Sequence, residues 1–219
     1  MAGYTLDLFA EEPAAQTRTE LAAGAWLLHG FVLAQAPQLL AEVAQIEAVA
    51  PFRHLITPGG YTMSVAMTNS GALGWVSDAR GYRYDPIDPQ TGRHWPALPA
   101  LFADVARRAA AEAGYPGFEP QACLINRYVA SARLSLHQDK DELDQRAPIV
   151  SVSLGLPATF LFGGLQRNDK TARHRLVHGD VVVWGGPSRL AYHGVAPLAA
   201  GSHAATGECR INLTFRKVR

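Results

Sequence analysis

Beyond residue 120 the chain consists of short strand-like runs, and this constrains its fold more than any other feature. In order they read ACLINRY, RLSLHQD, IVSVSLGL, TFLFGGL, HRLVH, DVVVWGG, RLAYHGV and RINLTFR. Most are rich in β-branched and aromatic residues, with Gly, Pro, Asp or Asn between them. No segment long enough for a helix intervenes. Parallel strands need a crossover of about a dozen residues, usually a helix. The runs are therefore predicted to pair antiparallel, in a sandwich or jelly roll.

The first half reads differently. Residues 1–20 look loosely structured, and GAWLLHGFV suits a short strand. From Pro37 to Ala50 the residues Leu39, Leu40, Val43, Ile46 and Val49 recur at helical spacing, with Pro37 in the first turn. A second helix is predicted over 97–113 from Leu98, Leu101, Phe102 and Val105, stopped by Gly114 and Pro116. Between the two lies a long stretch rich in Gly, Thr, Ser and Asp that reads as loop. It carries Tyr61, Trp75, Tyr82, Tyr84 and Trp95, too many aromatics for disorder. A loop of that length in a compact chain points to function.

Composition sets outer bounds. A hydrophobic share of 48% over 219 residues supports one sizeable domain. A net charge of +1 provides no general field for nucleic acid. Any such partner must be held by a local patch. The first residues, MAGYTLDLFAEEP, lack the basic region and apolar run of a secretory signal, and no run approaches a membrane span. Cys123 and Cys209 fit buried free thiols better than a disulfide framework. A cytoplasmic protein without membrane contact is expected.

Chemistry concentrates in LSLHQDKDE, residues 134–142. Along a strand, positions two apart share a face. His137 and Asp139 would project together, offering an imidazole nitrogen and a carboxylate to a divalent metal. Taken alone, the pair fits a surface hydrogen bond as well. A third ligand would come from a later strand, His178 or His193. Geometry leans mildly to His193, because His178 sits beside a Gly-Asp turn where local hydrogen bonding is its ordinary role. His29, His54, His94, His174 and His203 fall in loops or beside turns. Two His and one carboxylate form the facial triad of non-haem Fe(II) oxygenases, and zinc accepts the same set.

An anion clamp favours iron. RINLTFR places Arg210, Asn212, Thr214 and Arg216 on one face of a strand and Ile211, Leu213 and Phe215 on the other. Two inward guanidinium groups would be costly unpaired and match carboxylates in pairs of hydrogen bonds. A solvated charged edge is the ordinary alternative. In LINRYV, Asn126 and Tyr128 again share a face.

Taken in order, LINRY, LSLHQDKDE, IVSVSLGLPA, GDVVVWGG, YHG and RINLTFR resemble the bacterial AlkB alkylation-repair dioxygenases, as do PFRHLITPGGYTMSVAMTN and YDPIDPQTGRHWP upstream. The likeness runs from about Leu6 to Phe215. Residues 166–175 and 199–208 are less recognisable.

The resemblance implies an α+β protein: a double-stranded β-helix (jelly roll) with N-terminal helices and an aromatic nucleotide-recognition lid. It implies one dioxygenase domain over 1–219, with the lid over about 50–96 and the catalytic core over about 120–216. Fe(II) would be held by His137, Asp139 and His193, and 2-oxoglutarate by Asn126, Tyr128, Arg210, Asn212 and Arg216. With O2, such an enzyme would demethylate 1-methyladenine and 3-methylcytosine, releasing formaldehyde, succinate and carbon dioxide. Single-stranded DNA would be the main partner of a monomeric enzyme, with RNA and double-stranded DNA as further ones. Trp75 would stack on the extruded base, with Tyr82, Tyr84 and Met67 nearby. Thr57, Tyr82, Arg133 and Arg167 would meet phosphates. Asp141 would face the base, where a carboxylate favours a cationic methylated base over a neutral one. Glu142 is expected to be a solvated acid. The rivals are a 2-oxoglutarate hydroxylase acting on a protein or small molecule, and a non-catalytic metal-binding or nucleic-acid-binding barrel.

Overall fold

A computed structural model describes residues 17–219. Its centre is an eight-stranded sheet in the order β1-β2-β12-β9-β14-β7-β4-β3, faced by a four-stranded sheet β11-β10-β13-β8. In the large sheet these are β1 (Arg18–Ala22), β2 (Ala25–Leu28), β3 (Arg53–Ile56), β4 (Thr62–Gly71), β7 (Ala122–Tyr128), β9 (Ile149–Gly155), β12 (Val181–Trp184) and β14 (Arg210–Arg216). The small sheet comprises β8 (Leu134–His137), β10 (Ala158–Phe162), β11 (Ala172–Leu176) and β13 (His193–Val195). A separate hairpin joins β5 (Gly74–Asp78) to β6 (Gly81–Asp85). Neighbouring strands pair antiparallel throughout. The chain thus has the jelly-roll type of fold.

Alternation along the strands sorts side chains into two cores. Cys123, Ile125, Val150, Val152, Leu154, Val181, Val183, Ile211, Leu213 and Phe215 face α1 (Ala36–Val49) and α2 (Ala100–Glu112). Phe215 is fully buried there and meets Phe102 edge-on at 5.8 Å between ring centroids. Burying such a side chain stabilises by roughly 1.5–3 kcal/mol. The opposite face of the large sheet turns Leu124, Tyr128, Val182 and Trp184 towards Phe160, Phe162 and Val195 of the small sheet. Polar residues enter this inner space beside them: Asn126, Ser151, Ser153, Arg210, Asn212, Thr214 and Arg216 are all buried. The space between the sheets therefore holds buried polar and charged groups beside apolar ones, while the helix-facing core is apolar.

Several elements depart from the sequence reading. Within the loose stretch expected over 1–20, residues 1–16 lie outside the described residues, and Arg18–Glu20 belong to β1. The long loop expected between the helices contains β3 to β6. Its polar residues hid these strands because their partners are distant: Thr68 Oγ1 donates to the Ala50 carbonyl at 2.6 Å, and the Asn69 side chain brackets the Trp75 peptide at 3.0 and 3.1 Å. RLAYHGV is strand only from His193 onward. Cys123 is a buried free thiol, whereas Cys209 is only half-buried. Among the described residues no helix is long and apolar enough to cross a membrane.

Candidate metal and cosubstrate site

His137 ends β8, Asp139 follows two residues later just beyond the strand, and His193 begins β13 as the register partner of His137. Their ligand atoms lie within 4.8 Å of one another, the one such cluster among the described residues. His137 Nε2 is 3.8 Å from Asp139 Oδ1, and His193 Nε2 is 3.8 Å from Asp139 Oδ2. Each ring turns its Nδ1 to a backbone carbonyl, Ser135 at 2.8 Å and Ala191 at 3.0 Å. A carbonyl can only accept, so each Nδ1 carries the proton and each Nε2 keeps its lone pair for a metal. His178 stands elsewhere. Its Nδ1 accepts from the Gly155 amide at 2.9 Å, and its ring stacks on His203 at 4.5 Å.

Burial opposes ionisation of Asp139, but Arg216, His193 and His137 outweigh it and hold its pKa well below the usual range. Burial also lowers His193, to about 4, with His137 adding to the effect. His193 is therefore neutral at pH 7, as a ligand must be. The sign for stability follows from linkage. Between the ordinary value of 6.5 and about 4 the unfolded chain binds a proton at this position and the folded chain does not. The metal-free protein should lose stability as pH falls through that window. Denaturant titrations from pH 7 to 4 should show a steeper loss for the wild type than for His193→Gln; equal slopes would contradict it.

The two arginines of β14 have different surroundings. Arg216 reaches Asp139 with Nη2 to Oδ2 at 2.8 Å, and its Nε lies 3.2 Å from Glu142 Oε1. Burial would lower its pKa, but Asp139, Tyr84 and Glu142 raise it well above its usual value. Arg210 is fully buried against the Tyr128 ring at 5.0 Å and donates only from Nη2, to Ser153 Oγ at 2.9 Å. Its Nε and Nη1 have no partner among the described residues; nor do Tyr128 Oη and Asn126 Oδ1. Burial lowers the Arg210 pKa, as expected of a cation short of an anion. Buried polar groups are almost always satisfied. The orphaned donors among these, Arg210 Nε and Nη1 and Tyr128 Oη, suit a small dicarboxylate such as 2-oxoglutarate. Asn212 is already engaged: its amide donates to Ser151 Oγ and the Val152 carbonyl, both at 2.8 Å, and accepts from Asn126 and Thr214.

The β5–β6 hairpin presents Trp75, Tyr82 and Tyr84 on one face, Trp75 directly across from Tyr84. Trp75 stacks on Tyr82 with centroids 5.4 Å apart and planes 13° apart. Its indole donates to Asp141 Oδ2 at 2.9 Å. Met67 is buried on β4 opposite Asn126. Thr57 is half-buried, its hydroxyl accepting from the Tyr61 amide at 3.0 Å, and Arg133 and Arg167 are exposed. Arg167 lies 5.8 Å over the Tyr192 ring.

Glu142 corrects the sequence reading most sharply. It is buried, 4% exposed, and bound by Tyr84, Arg189 and Arg216. Arg189, which sequence reasoning passed over, is 3% exposed and also donates to the Asp139 carbonyl at 2.6 Å. No local pattern announces either residue, because their partners lie 47 and 58 positions from Glu142.

A family model described as the 2OG-Fe(II) oxygenase superfamily matches residues 24–216. The chain is 60% identical over 212 residues to the alpha-ketoglutarate-dependent dioxygenase AlkB of Escherichia coli (strain K12), covering 97% of each chain. It is 47% identical over 186 residues to the AlkB homolog of Caulobacter vibrioides (strain NA1000 / CB15N), covering 82% of this chain and 83% of the other. The solved structure of OsALKBH1 superposes with a TM-score of 0.81 at 27% identity, over 92% of this chain and all of that one.

Proposed function

The chain belongs to the 2OG-Fe(II) oxygenase superfamily and, within it, to the AlkB dioxygenases, and from that membership we propose that it oxidatively dealkylates nucleic-acid bases. The observation that carries the reading is the three-ligand face at His137, Asp139 and His193 together with the buried Arg210, whose Nε and Nη1 lack partners among the described residues. Fe(II), 2-oxoglutarate and O2 supply the oxidising chemistry when bound. The chain's residues do the rest. His137, Asp139 and His193 offer three ligands and leave the other positions open. Arg210 and Tyr128 would hold a carboxylate of 2-oxoglutarate, with Asn126 two residues from Tyr128 on the same face of β7. Asn212 acts by orienting Asn126. Arg216 fixes the carboxylate of Asp139 and would bring positive charge to a cosubstrate bound beside the triad.

The substrates in this reading are 1-methyladenine and 3-methylcytosine, mainly in single-stranded DNA, with RNA and double-stranded DNA as further partners. Oxidised N-methyl carbon leaves as formaldehyde, alongside succinate and carbon dioxide. Residues 50–96 include the lid: Trp75 stacks on an extruded base, with Tyr82, Tyr84 and Met67 around it. Thr57, Tyr82, Arg133 and Arg167 meet the backbone. The catalytic core is 120–216 of a single domain. The enzyme works as a monomer in the cytoplasm, in keeping with its free thiols.

Methylated single-stranded oligonucleotides should yield succinate and formaldehyde one to one. Succinate without formaldehyde would favour a hydroxylase of some other substrate, and neither product a non-catalytic barrel. Base selection tests the lid. Asp141→Asn keeps an oxygen for the Trp75 indole and removes only the charge. It should cost 3-methylcytosine, a cation, roughly 1–4 kcal/mol and spare neutral 3-methylthymine. Trp75→Ala should weaken both lesions by about 1–3 kcal/mol. Equal losses on the two lesions for Asp141→Asn would leave it a structural acid.

A further inference from the structure

Four charged side chains form a buried network beside the metal-ligand triad. Asp139 is 8% exposed, Glu142 4%, Arg189 3% and Arg216 6%. Two acids and two arginines cancel formally, so each charge depends on the others. Glu142 is the branch point. Its Oε1 accepts from the Tyr84 hydroxyl at 2.5 Å and lies 3.2 Å from Arg216 Nε; its Oε2 accepts from Arg189 at 3.0 Å. That same Arg216 Nε is 3.3 Å from Asp139 Oδ2. The Nε–H thus donates to the carboxylate of the triad while Glu142 Oε1 lies within ion-pair distance of the same nitrogen.

Tyr84 belongs to the hairpin, not to the core. Its register partner Trp75 donates to Asp141, and Tyr84 donates to Glu142. Two facing residues of β5 and β6 are thus tied to two consecutive acids just after Asp139. We propose that Glu142 is a positioning residue which, with Tyr84, couples the seating of the β5–β6 hairpin to the orientation of Asp139 through Arg216. The physical reason is competition. With the Tyr84 hydroxyl in place, Glu142 Oε1 has a strong donor, and Arg216 is left to Asp139. Without it, that oxygen draws the neighbouring Nε–H away from Asp139 and loosens the carboxylate that would hold the metal. A base entering under the hairpin would thereby be felt at the metal ligand without touching it. The inference rests on the metal-site reading above.

The test uses the full chain without nucleic acid, so substrate contacts of Tyr84 do not enter. Two quantities are read: amide exchange over residues 74–85 in metal-free protein, and the affinity for Mn(II) in the presence of 2-oxoglutarate. Tyr84→Phe removes one oxygen. It should raise hairpin exchange about tenfold and weaken Mn(II) about fivefold, the lower end of measured couplings between sites. Glu142→Gln should weaken Mn(II) by about tenfold or more, as loss of a residue supporting a metal ligand does. Should Glu142→Gln fail to fold, Tyr84→Phe decides alone. Faster hairpin exchange with Mn(II) affinity unchanged in Tyr84→Phe would overturn the coupling, as would unchanged exchange. Wild-type Mn(II) binding is measured separately, and its failure would refute the metal site itself.

Discussion

His193→Ala is expected to take 2-oxoglutarate turnover below detection, and His137→Ala and Asp139→Ala to do the same. With two protein ligands left, neither metal retention nor the open face of the triad survives. Asp139→Ala carries a second penalty, because it strands Arg216, which is 6% exposed and donates to Asp139 at 2.8 Å. Breaking a buried pair on one side costs about 3–5 kcal/mol, so Asp139→Asn is the cleaner variant for activity. The control is His178→Ala, whose ring stacks on His203 away from the triad; it should turn over as the wild type does. Succinate release with added Fe(II) reads all five variants. Chelation should stop the reaction, Fe(II) should restore it and Zn(II) should not. Wild-type turnover by His193→Ala, or recovery with zinc, would remove the iron assignment.

What the sequence revealed, and what it hid, follows from the range of each interaction. RINLTFR coincides with β14 from end to end because strict alternation is a local signal with one fully apolar face. His137 and Asp139 are legible for the same reason, since two residues of extended chain bring them together. His193 was separable from His178 only weakly, because the choice depends on β13 pairing with β8, a contact between positions 56 apart (193 minus 137). The hairpin carrying Trp75 and Tyr84 reads as loop in the sequence. Its residues are small, polar and glycine-rich, and its support comes from Asn69 and from the acids at 141 and 142. The inward arginines were expected to act as one clamp. In the structure they part company, Arg216 to Asp139 and Arg210 to Tyr128 and Ser153. Facing the same way along a strand is written in the sequence; which carboxylate reaches which guanidinium is not.

That separation makes Arg210 the stronger probe of cosubstrate binding. Its Nε and Nη1 lack partners among the described residues, so the Ser153 hydrogen bond and the Tyr128 ring offset only part of the cost of its burial. A dicarboxylate would supply the missing acceptors in pairs. Charge-assisted hydrogen bonds contribute about 1.5–3 kcal/mol each, so Arg210→Met should weaken 2-oxoglutarate at least about tenfold. Lysine is no substitute, since its point charge cannot make the paired contact; Arg210→Lys should recover little. The protein without cosubstrate provides the opposite sign. Removing an underpaired buried cation relieves desolvation, so Arg210→Met should be at least as stable as the wild type when 2-oxoglutarate is absent. Adding 2-oxoglutarate with Mn(II) should raise the wild-type Tm by linkage and leave that of Arg210→Met nearly unmoved. A structural arginine predicts the reverse: a less stable variant whose Tm still rises with cosubstrate. Calorimetric titration and thermal unfolding on the same two proteins decide between them, and undiminished affinity in folded Arg210→Met would end the clamp.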